Sequence, residues 1–488
     1  MAEAVQQSFF DRTLTNLSTA WRDVAASAAR SVGLTLDAPG ADPDALRTMM
    51  RDCLEARGGE VSARAPAAPL GPTNLQLDPA GRNLFLRLLA EDFAVDREAV
   101  DRAVARLSEA GEGAGRARAE RALRRALVPP RLKLLTQFNG LPEGVKFLAD
   151  LRADLLATLG DDAALKSLDD DLYELLSSWF DTGFLDLERI DWNSSAALLE
   201  KLIAYEAVHE IRDFYDLRNR LDSDRRCYAL FHPRMPKEPL AFVEVALVQG
   251  LAGSIQALLD ETAPQGDPGS ADTAIFYSIS NTQKGLKGIS LGEYLIKMVV
   301  RELGEAMPRV RTFGTLSPVP GFRRWLAGVP AEELNGLLSV EERGGIRALG
   351  GSDSTPESLA ALLDRADWMR DPVIARALEE PLLRLMAKYF TVKRDDGQPI
   401  DPVARFHLRN GARLERLNWL ADVSDKGLKQ AAGMMVNYRY LPDELERNHD
   451  AYVSKGTVAM AAEVRGLVRK VRGDGSSTLR RLGLGTGR

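Results

Sequence analysis

Cysteine is scarce in this chain. Cys53 and Cys227 are its only two, far apart and outside any Cys-x-x-Cys pattern. That argues against a disulfide framework or a zinc ribbon and for a reducing compartment, so a cytoplasmic protein is expected. No apolar run approaches a membrane span, and no membrane partner is expected. The N-terminus lacks a basic region followed by an apolar core, so no signal peptide is expected. The closing Thr-Gly-Arg is not a peroxisomal address. There is no G-x-x-x-x-G-K-[ST], no G-x-G-x-x-G and no G-x-S-x-G, which removes the Walker loop, the Rossmann fingerprint and the hydrolase elbow. Basic charge is not in excess. Sixty-four Lys and Arg stand against 70 Asp and Glu, a net charge of −6, which argues against a general nucleic-acid binder. Histidine is limited to His209, His232, His407 and His449, the only side chains that titrate near neutrality without a large shift.

What remains is the composition of a globular protein, 45% hydrophobic and 27% charged. Its 488 residues are too many for one ordinary core, so two or three domains are expected. Residues 1–57 carry helical periodicity through Phe9, Leu14, Leu17, Trp21 and Val24. Residues 58–80 are rich in Gly, Ala and Pro and read as a linker. Helix returns over 81–160, with almost no β-branched runs, so a helical bundle is expected. Its Arg116–Arg125 stretch, five Arg and one Glu, reads as an anion patch or, more simply, a solvated helix face.

Beyond about residue 170 the texture changes. Helical patterns cover 171–180 and 197–221. Strand patterns follow at Cys227–Phe231, Ala241–Val248, Thr273–Ser280, Val310–Leu316 and Val436–Leu441. Residues 328–390 turn helical again, with breaks at 344–353. Asn410-Gly411 then joins two apolar stretches as a two-residue hairpin turn would. The tail from Gly473 reads as frayed. The expected class is α+β: a helical domain over 1–170, then a mixed α/β domain over 171–488 with a helical insertion near 328–390. No internal repeat is present.

The second half is organised around residues 273–293. A β-branched, aromatic strand leads through a glycine-bearing loop to a helix opened by Ser290, and Ser290 and Glu293 fit the Ser-x-x-Glu capping box. Strand, glycine loop and helix N-terminus suit an anion, because the first N–H groups are free and the helix dipole favours negative charge. Gly288 and Gly292 would let a phosphate approach the backbone. An ordinary crossover would look the same. The surrounding charge favours the anion: from Gln283 to Arg324, eight Lys and Arg face three Glu inside an acidic chain.

Few residues suggest chemistry. Glu206 and His209, read as one helix face, could hold a metal, but the further carboxylates and second Glu-x-x-His of a di-metal bundle are missing. His209 is therefore taken as structural and no metal is expected. His232 and His449 are read as structural or exposed. His407 lies between apolar neighbours near the expected turn, where it could face a pocket or sit in the core. Ser317 ends a strand pattern, followed by Pro318 and Pro320. A stiff loop could fix its hydroxyl there, although Ser-Pro is also plain turn chemistry.

Four separated blocks resemble the malonyl-CoA decarboxylase family, in that family's order. They are Phe276-Tyr277-Ser278-Ile279-Ser280 with Thr282-Gln283-x-Gly285-Leu286; Leu316-Ser317-Pro318-x-Pro320-Gly321-Phe322; Phe406-His407-Leu408-x-Asn410-Gly411-Ala412; and Asn437-Tyr438-Arg439-Tyr440. With weaker similarity from about Phe147, the resemblance covers most of the chain. It implies a helical assembly domain and an N-acetyltransferase-like catalytic domain whose phosphate loop holds the CoA pyrophosphate. That loop corresponds to Lys287, Gly288, Ile289, Ser290, Leu291, Gly292 and Glu293, although Lys287 stands where Gln or Arg is common and Ser290 where Gly is common. The family's catalytic serine and histidine fall on Ser317 and His407, and Tyr440 falls on a supporting tyrosine. The resemblance thus implies decarboxylation of malonyl-CoA to acetyl-CoA and CO2 without a cofactor, in a homo-oligomer, with a tetramer suggested. An acyl-CoA-dependent N-acetyltransferase and a non-catalytic acyl-CoA sensor are the alternatives.

Overall fold

The computed structural model describes residues 42–55 and 70–470. The periodicity from Phe9 to Val24 and the tail from Gly473 lie outside the described residues. Eight described helices precede the first strand: α1 (Pro43–Glu55), α2 (Leu70–Gln76), α3 (Pro79–Glu91), α4 (Arg97–Glu109), α5 (Ala114–Ala126), α6 (Pro130–Gln137), α7 (Gly144–Thr158) and α8 (Ala163–Trp179). Their starts are written locally. Asp78, Asp96 and Asp162 each accept a hydrogen bond from a backbone N–H of the first turn, at 2.7, 3.0 and 2.9 Å. The linker or long loop read over 58–80 is corrected for its second half, because Leu70–Gln76 is helical and α3 starts at Pro79, behind its Asp78 cap, while 58–69 lie outside the described residues. Proline at N1 favours a helix start, so its presence was a poor sign of a loop. Leu134, Leu148, Leu155, Leu168 and Leu172 are completely buried in the bundle. By contrast α5 buries none of its residues, and Arg116–Arg125 is a solvated face.

A mixed eight-stranded sheet follows. Its first strands are β1 (Asp186–Ile190), β2 (Arg225–Phe231), β3 (Ala241–Val248) and β4 (Thr273–Asn281), with α9 (Ala196–Tyr205), α10 (Phe214–Arg220) and the short α11 (Ile255–Leu258) between them. These strands pair antiparallel in sequence order. The expected helix over 197–221 is interrupted between α9 and α10. The Glu206 carboxylate accepts from the backbone N–H groups of Val208 and His209, both at 2.8 Å, and a side chain that bonds its own neighbours competes with the helix ladder. Next come α12 (Leu291–Ala306), β5 (Thr312–Thr315) and the two-residue β6 (Ser317–Pro318). On α12, Leu295, Ile296, Val299 and Leu303 are buried at the expected spacing, each contributing about 1.5–3 kcal/mol.

Residues 322–389 are helical: α13 (Phe322–Ala327), α14 (Ala331–Leu337), α15 (Val340–Gly350), α16 (Thr355–Asp364) and α17 (Pro372–Tyr389). Gly344 and Gly345, read as breaks, lie inside α15, and the break falls at Gly351, with φ +75°. Then follow α18 (Pro402–Arg409), β7 (Arg413–Asn418), α19 (Asp425–Ala431), β8 (Met435–Tyr440) and α20 (Leu445–Lys455). The α+β class holds, and the segment expected to be the phosphate loop lies between the central strand β4 and helix α12. Residue 170 falls inside α8.

Two irregularities shape the centre of the sheet. In β4, Glu244 pairs with Ser278 and Val245 with Phe276, so Tyr277 bulges. Strands β4 and β5 run parallel only as far as Phe276 and Thr315, and then part. Beyond that fork β4 stays with β3, while the chain of β5 and β6 stays with β8. Phe313 pairs with Tyr440 and Gly314 with Arg439, and then Ser317 with Val436 and Pro318 with Met435, in a single register. Side chains bridge the gap. The Tyr438 N–H donates to Thr315 Oγ1 at 3.1 Å, and Asn437 Nδ2 donates to the Thr315 carbonyl at 2.6 Å.

The loop after β4 lies against α7 with no room to spare. A Cβ on Gly285 would stand 1.7 Å from the Ala149 carbonyl oxygen, backbone against backbone. Gly285→Ala is therefore expected to lower stability by about 1–3 kcal/mol, as overpacking does. Gly336→Ala, in α14 with nothing within 4 Å, is expected to raise it by about 0.5–1 kcal/mol. Urea midpoints of the two variants check this, and equal midpoints would show that the loop yields.

Candidate active site

The expected site residues converge at the fork between β4 and β5. Alternation along the strands sends Thr315 and Ser317, and Tyr438 and Tyr440 from β8, to one face. Helix α18 lays His407 across that face. Its imidazole stacks on the Tyr438 ring, with centroids 4.4 Å apart. His407 Nε2 lies 3.1 Å from Ser317 Oγ, and Nδ1 lies 2.7 Å from the Tyr440 hydroxyl. Ser317 Oγ is also 2.8 Å from Thr315 Oγ1. Ser317, His407 and Tyr440 are 5, 2 and 3% exposed, so the cluster is almost dry.

His407 was read as a strand-end residue beside a hairpin, and this is corrected. Asp401 caps α18, accepting from the Ala404 N–H at 2.7 Å and from the Tyr389 hydroxyl at 3.2 Å, and Pro402 takes the first position. Asn410-Gly411 ends the helix. The Gly411 N–H returns to the Leu408 carbonyl and the Ala412 N–H to that of His407, the Schellman pattern. Gly411 has φ +77°, and a Cβ there would meet the Leu445 carbonyl at 2.2 Å. A left-handed glycine serves a helix end as readily as a hairpin, so the dipeptide alone pointed to the wrong turn.

Burial sets the protonation of His407. With no charged partner to offset desolvation, its pKa is pushed down to about 3, and the imidazole is neutral at physiological pH. Burial likewise pushes Tyr440 well above the ordinary phenol value.

The phosphate-loop segment lies beside this cluster. Lys287, Gly288 and Ser290 are exposed, Ile289 and Glu293 half-buried, and Leu291 and Gly292 buried. The capping box expected from Ser290 and Glu293 is not formed. Ser290 makes no side-chain cap, and Glu293 turns instead to Arg409, 3.6 Å away on α18. The space beside the glycines is taken by protein. A Cβ on Gly288 would lie 3.2 Å from the Tyr173 ring and one on Gly292 3.0 Å from Phe406, the neighbour of His407. These glycines thus let aromatic rings close on the backbone, a use that their sequence did not distinguish from room for a phosphate.

The helical region supplies a brace that sequence reading missed. Arg152 on α7 is 4% exposed. It donates from Nη1 to the carbonyls of Gly285 and Lys287, at 2.7 and 2.9 Å, and from Nε to Asp169 at 2.7 Å. Its guanidinium lies 5.2 Å from the centre of the Tyr173 ring. The available signal was a charge on an apolar helix face, since Arg152 follows Leu148 by four residues and precedes Leu155 by three. Thr315, two residues before Ser317 and so on its face, was missed in the same way.

The other histidines are accounted for. His232 is held between the Trp179 carbonyl and the Arg234 N–H, and His449 is half-buried and bonded to the Arg409 carbonyl. Glu206 and His209 do not share a helix face. Glu206 is spent on backbone N–H groups and on the Ser278 and Ser280 hydroxyls. No group of three or more His, Cys, Asp or Glu placed to hold a metal occurs among the described residues. No described helix is long and apolar enough to cross a membrane.

Comparison with known proteins gives a consistent picture. A family model described as the malonyl-CoA decarboxylase C-terminal domain matches residues 183–478, and one described as the malonyl-CoA decarboxylase N-terminal domain matches 93–180. The mitochondrial malonyl-CoA decarboxylase of Anser anser anser is 38% identical over 399 residues, 79% of this chain and 79% of that one. That of Rattus norvegicus is 38% identical over 406 residues, 80% and 82% of the two chains. Crystal structures of malonyl-CoA decarboxylase from Rhodopseudomonas palustris and Agrobacterium vitis each align at 42% identity with a TM-score of 0.77. They cover 87% and 86% of this chain and 99% of their own.

A pH dependence of stability follows from His407. Unfolded, its imidazole titrates near 6.5; folded, near 3. Between those values the unfolded chain holds a proton that the folded one does not. Stability should be complete above about pH 6.5 and fall as pH drops toward 3. His407→Asn should flatten that slope by up to about one proton, read from urea midpoints over the same pH range. An unchanged slope would mean that the buried imidazole is charged.

Proposed function

The chain belongs to the malonyl-CoA decarboxylase family, and from that premise we propose how its residues divide the work of converting malonyl-CoA to acetyl-CoA and CO2. The thioester carbonyl is itself the electron sink, so the residues need only bind, desolvate, stabilise an enolate and deliver a proton. The carbon–carbon bond breaks and CO2 leaves. The electron pair passes into the thioester enolate and then takes a proton to form the methyl group, so one solvent proton is consumed per turnover. His407 is the proton donor. Its resting imidazole is neutral, and a malonyl carboxylate beside it stabilises the imidazolium, because an opposite charge in a dry site raises a histidine's pKa. Substrate thus brings the counter-charge that loads the acid. Ser317 holds and orients the malonyl carboxylate or the thioester carbonyl, and Tyr440 supports the imidazole from its other nitrogen.

Lys287 to Glu293 receive the CoA pyrophosphate. Support comes from the exposed Lys287, from a helix start that Ser290 leaves uncapped, and from the packing of Phe406 on Gly292, which sets this loop beside His407. The observation that carries the whole reading is the dry Ser317–His407–Tyr440 contact, built at a fork in the sheet and abutting that helix start.

We further propose that residues 1–170 serve assembly and residues 171–488 catalysis, in a homotetramer. The fully solvated face of α5 and the exposed Val104, Leu127 and Val128, at 46, 52 and 54%, support an assembly role, and light scattering tests it. The two cysteines, Cys53 and Cys227, are both buried, which suits a cytoplasmic setting, whereas the animal relatives are named mitochondrial. Organelle fractionation decides between the two.

The primary test mixes purified protein with malonyl-CoA and quantifies acetyl-CoA and CO2. Equal release of both is expected, with His407→Ala losing at least about 100-fold in kcat while CoA binding persists. Full turnover in the variant would remove His407 from the mechanism. Tight CoA binding without CO2 release would turn attention to an amine acceptor and N-acetyl transfer. Arg152→Ala should raise KM for malonyl-CoA severalfold with a smaller effect on kcat, and Arg152→Lys should rescue only partly, lacking the planar fork that reaches two carbonyls and a carboxylate. An unchanged KM would mean that the loop keeps its shape without the brace.

A further inference from the structure

Ser317 and His407 come to the site from opposite ends of the helical segment over 322–389. From Ser317 the chain runs through Pro318, Val319 and Pro320 to Gly321, whose carbonyl accepts from the Trp325 N–H at 3.0 Å and opens α13. It leaves the segment at Tyr389, the last residue of α17, and doubles back so that the Ile400 N–H donates to the Val392 carbonyl at 3.1 Å. Asp401 and α18 follow. The segment is closed at its neck. The Tyr389 ring lies 5.9 Å from that of Phe322, edge to face, and 5.4 Å from that of Trp325.

One atom touches both arms of this neck. Tyr389 is buried, and its Oη donates to Asp401 Oδ2 at 3.2 Å, while Asp401 Oδ1 caps α18. Burial and the Asp401 carboxylate hold the phenol well above its ordinary value, so it keeps the proton it donates. The same oxygen stands against Gly321. A Cβ there would overlap it, and the ring carbon that bears the hydroxyl would be 3.5 Å away. Gly321 has φ −104°, open to any residue, so the glycine serves close approach and not backbone conformation.

We infer that Tyr389 is a positioning residue whose hydroxyl, held between Gly321 and Asp401, fixes the serine loop against helix α18 and so sets the Ser317–His407 separation. The inference rests on the reading of Ser317 and His407 as the reacting pair. Pro318 and Pro320 restrict the loop, so a shift at Gly321 is passed on rather than absorbed. On the other arm His407 lies six residues beyond the Asp401 cap, a lever of about 9 Å of helix. The Ser317–His407 contact stands at 3.1 Å, and a further shift of roughly 0.5 Å would break it. Tyr389 acts through this pair and not on the substrate.

Tyr389→Phe removes the hydroxyl and keeps the ring. It should lower kcat at least about tenfold with KM for malonyl-CoA little changed, since misplacing reacting groups by less than an ångström costs rate. Turnover is measured per folded molecule, well below the urea midpoint of each variant, where a loss of stability alone would leave kcat untouched. Gly321→Ala should also lower kcat, because its methyl pushes on the hydroxyl. In the double variant that methyl takes the space the hydroxyl vacates, so Gly321→Ala with Tyr389→Phe should turn over faster than Gly321→Ala alone. Unchanged kcat in Tyr389→Phe overturns the inference, whether or not Gly321→Ala folds. A double variant no faster than Gly321→Ala overturns it too. His407→Ala is assayed alongside to separate the two levels. Full turnover there would sink the reading of the reacting pair and this inference with it, whereas an inactive His407→Ala beside a fully active Tyr389→Phe removes this inference alone.

Discussion

The site depends on a gap in a strand ladder. Between Gly314 and Ser317 the chain stops exchanging regular backbone bonds with β8, yet the register on both sides is the same. Thr315 Oγ1 and Asn437 Nδ2 fill the gap by satisfying a buried N–H and a buried carbonyl that would otherwise be orphaned. The gap opens where β4 parts from β5, and it frees Thr315 and Ser317 to bond each other and His407. Asn437 is tied on its other side as well, accepting from Asn418 and Arg416 at 2.9 and 3.1 Å, so the repair is anchored to β7. A buried polar network of this kind is stiff only when its members are satisfied.

A second dependence runs across the molecule. The loop between β4 and α12 leads to the helix start that packs on Phe406, beside His407, but it is shaped by the helical region. Gly285 lets the loop touch the α7 backbone, Arg152 gathers two of its carbonyls, and Tyr173 from α8 lies against Gly288. A buried arginine on two carbonyls and a carboxylate is expensive to desolvate and costly to remove, which suits a residue that sets shape. The helices before residue 180 therefore have work at the site beyond any role in assembly.

Dryness ties the chemistry to the substrate. A desolvated histidine with no counter-charge is a poor acid at rest, and the groups around it are hydroxyls, an amide and aromatic rings. In the mechanism we propose, an anionic substrate changes that balance by arriving, so the acid forms where and when a carboxylate is present. In that proposal the same burial keeps out water that could protonate an enolate at random or solvate the carboxylate that must leave as CO2.

Much of this was legible in the chain. The strands at 227–231, 241–248 and 273–280 and the helix after Ser290 follow from apolar periodicity, because burial of one face is a property of local spacing. Ser317 and His407 stood out locally only as candidates, and resemblance joined them with Tyr440, since no local pattern joins residues 90 and 33 positions apart. The sequence read less well where one residue can serve two geometries. Asn410-Gly411 closes a helix because Asp401 and Pro402 open one eight residues earlier. Pro79 starts a helix because Asp78 caps it, and Glu206 ends one because its carboxylate is drawn to nearby N–H groups. The charged strand β1 carried too little apolar alternation to be seen, whereas β7 lies where the second arm of the expected hairpin was placed. Local spacing thus determined which segments are helix and strand in the core. Only the tertiary structure decided that Arg152 reaches the loop, that Thr315 and Asn437 mend a broken ladder, and that His407 is neutral. Those outcomes depend on which groups are brought together away from water, and sequence separation says nothing about that.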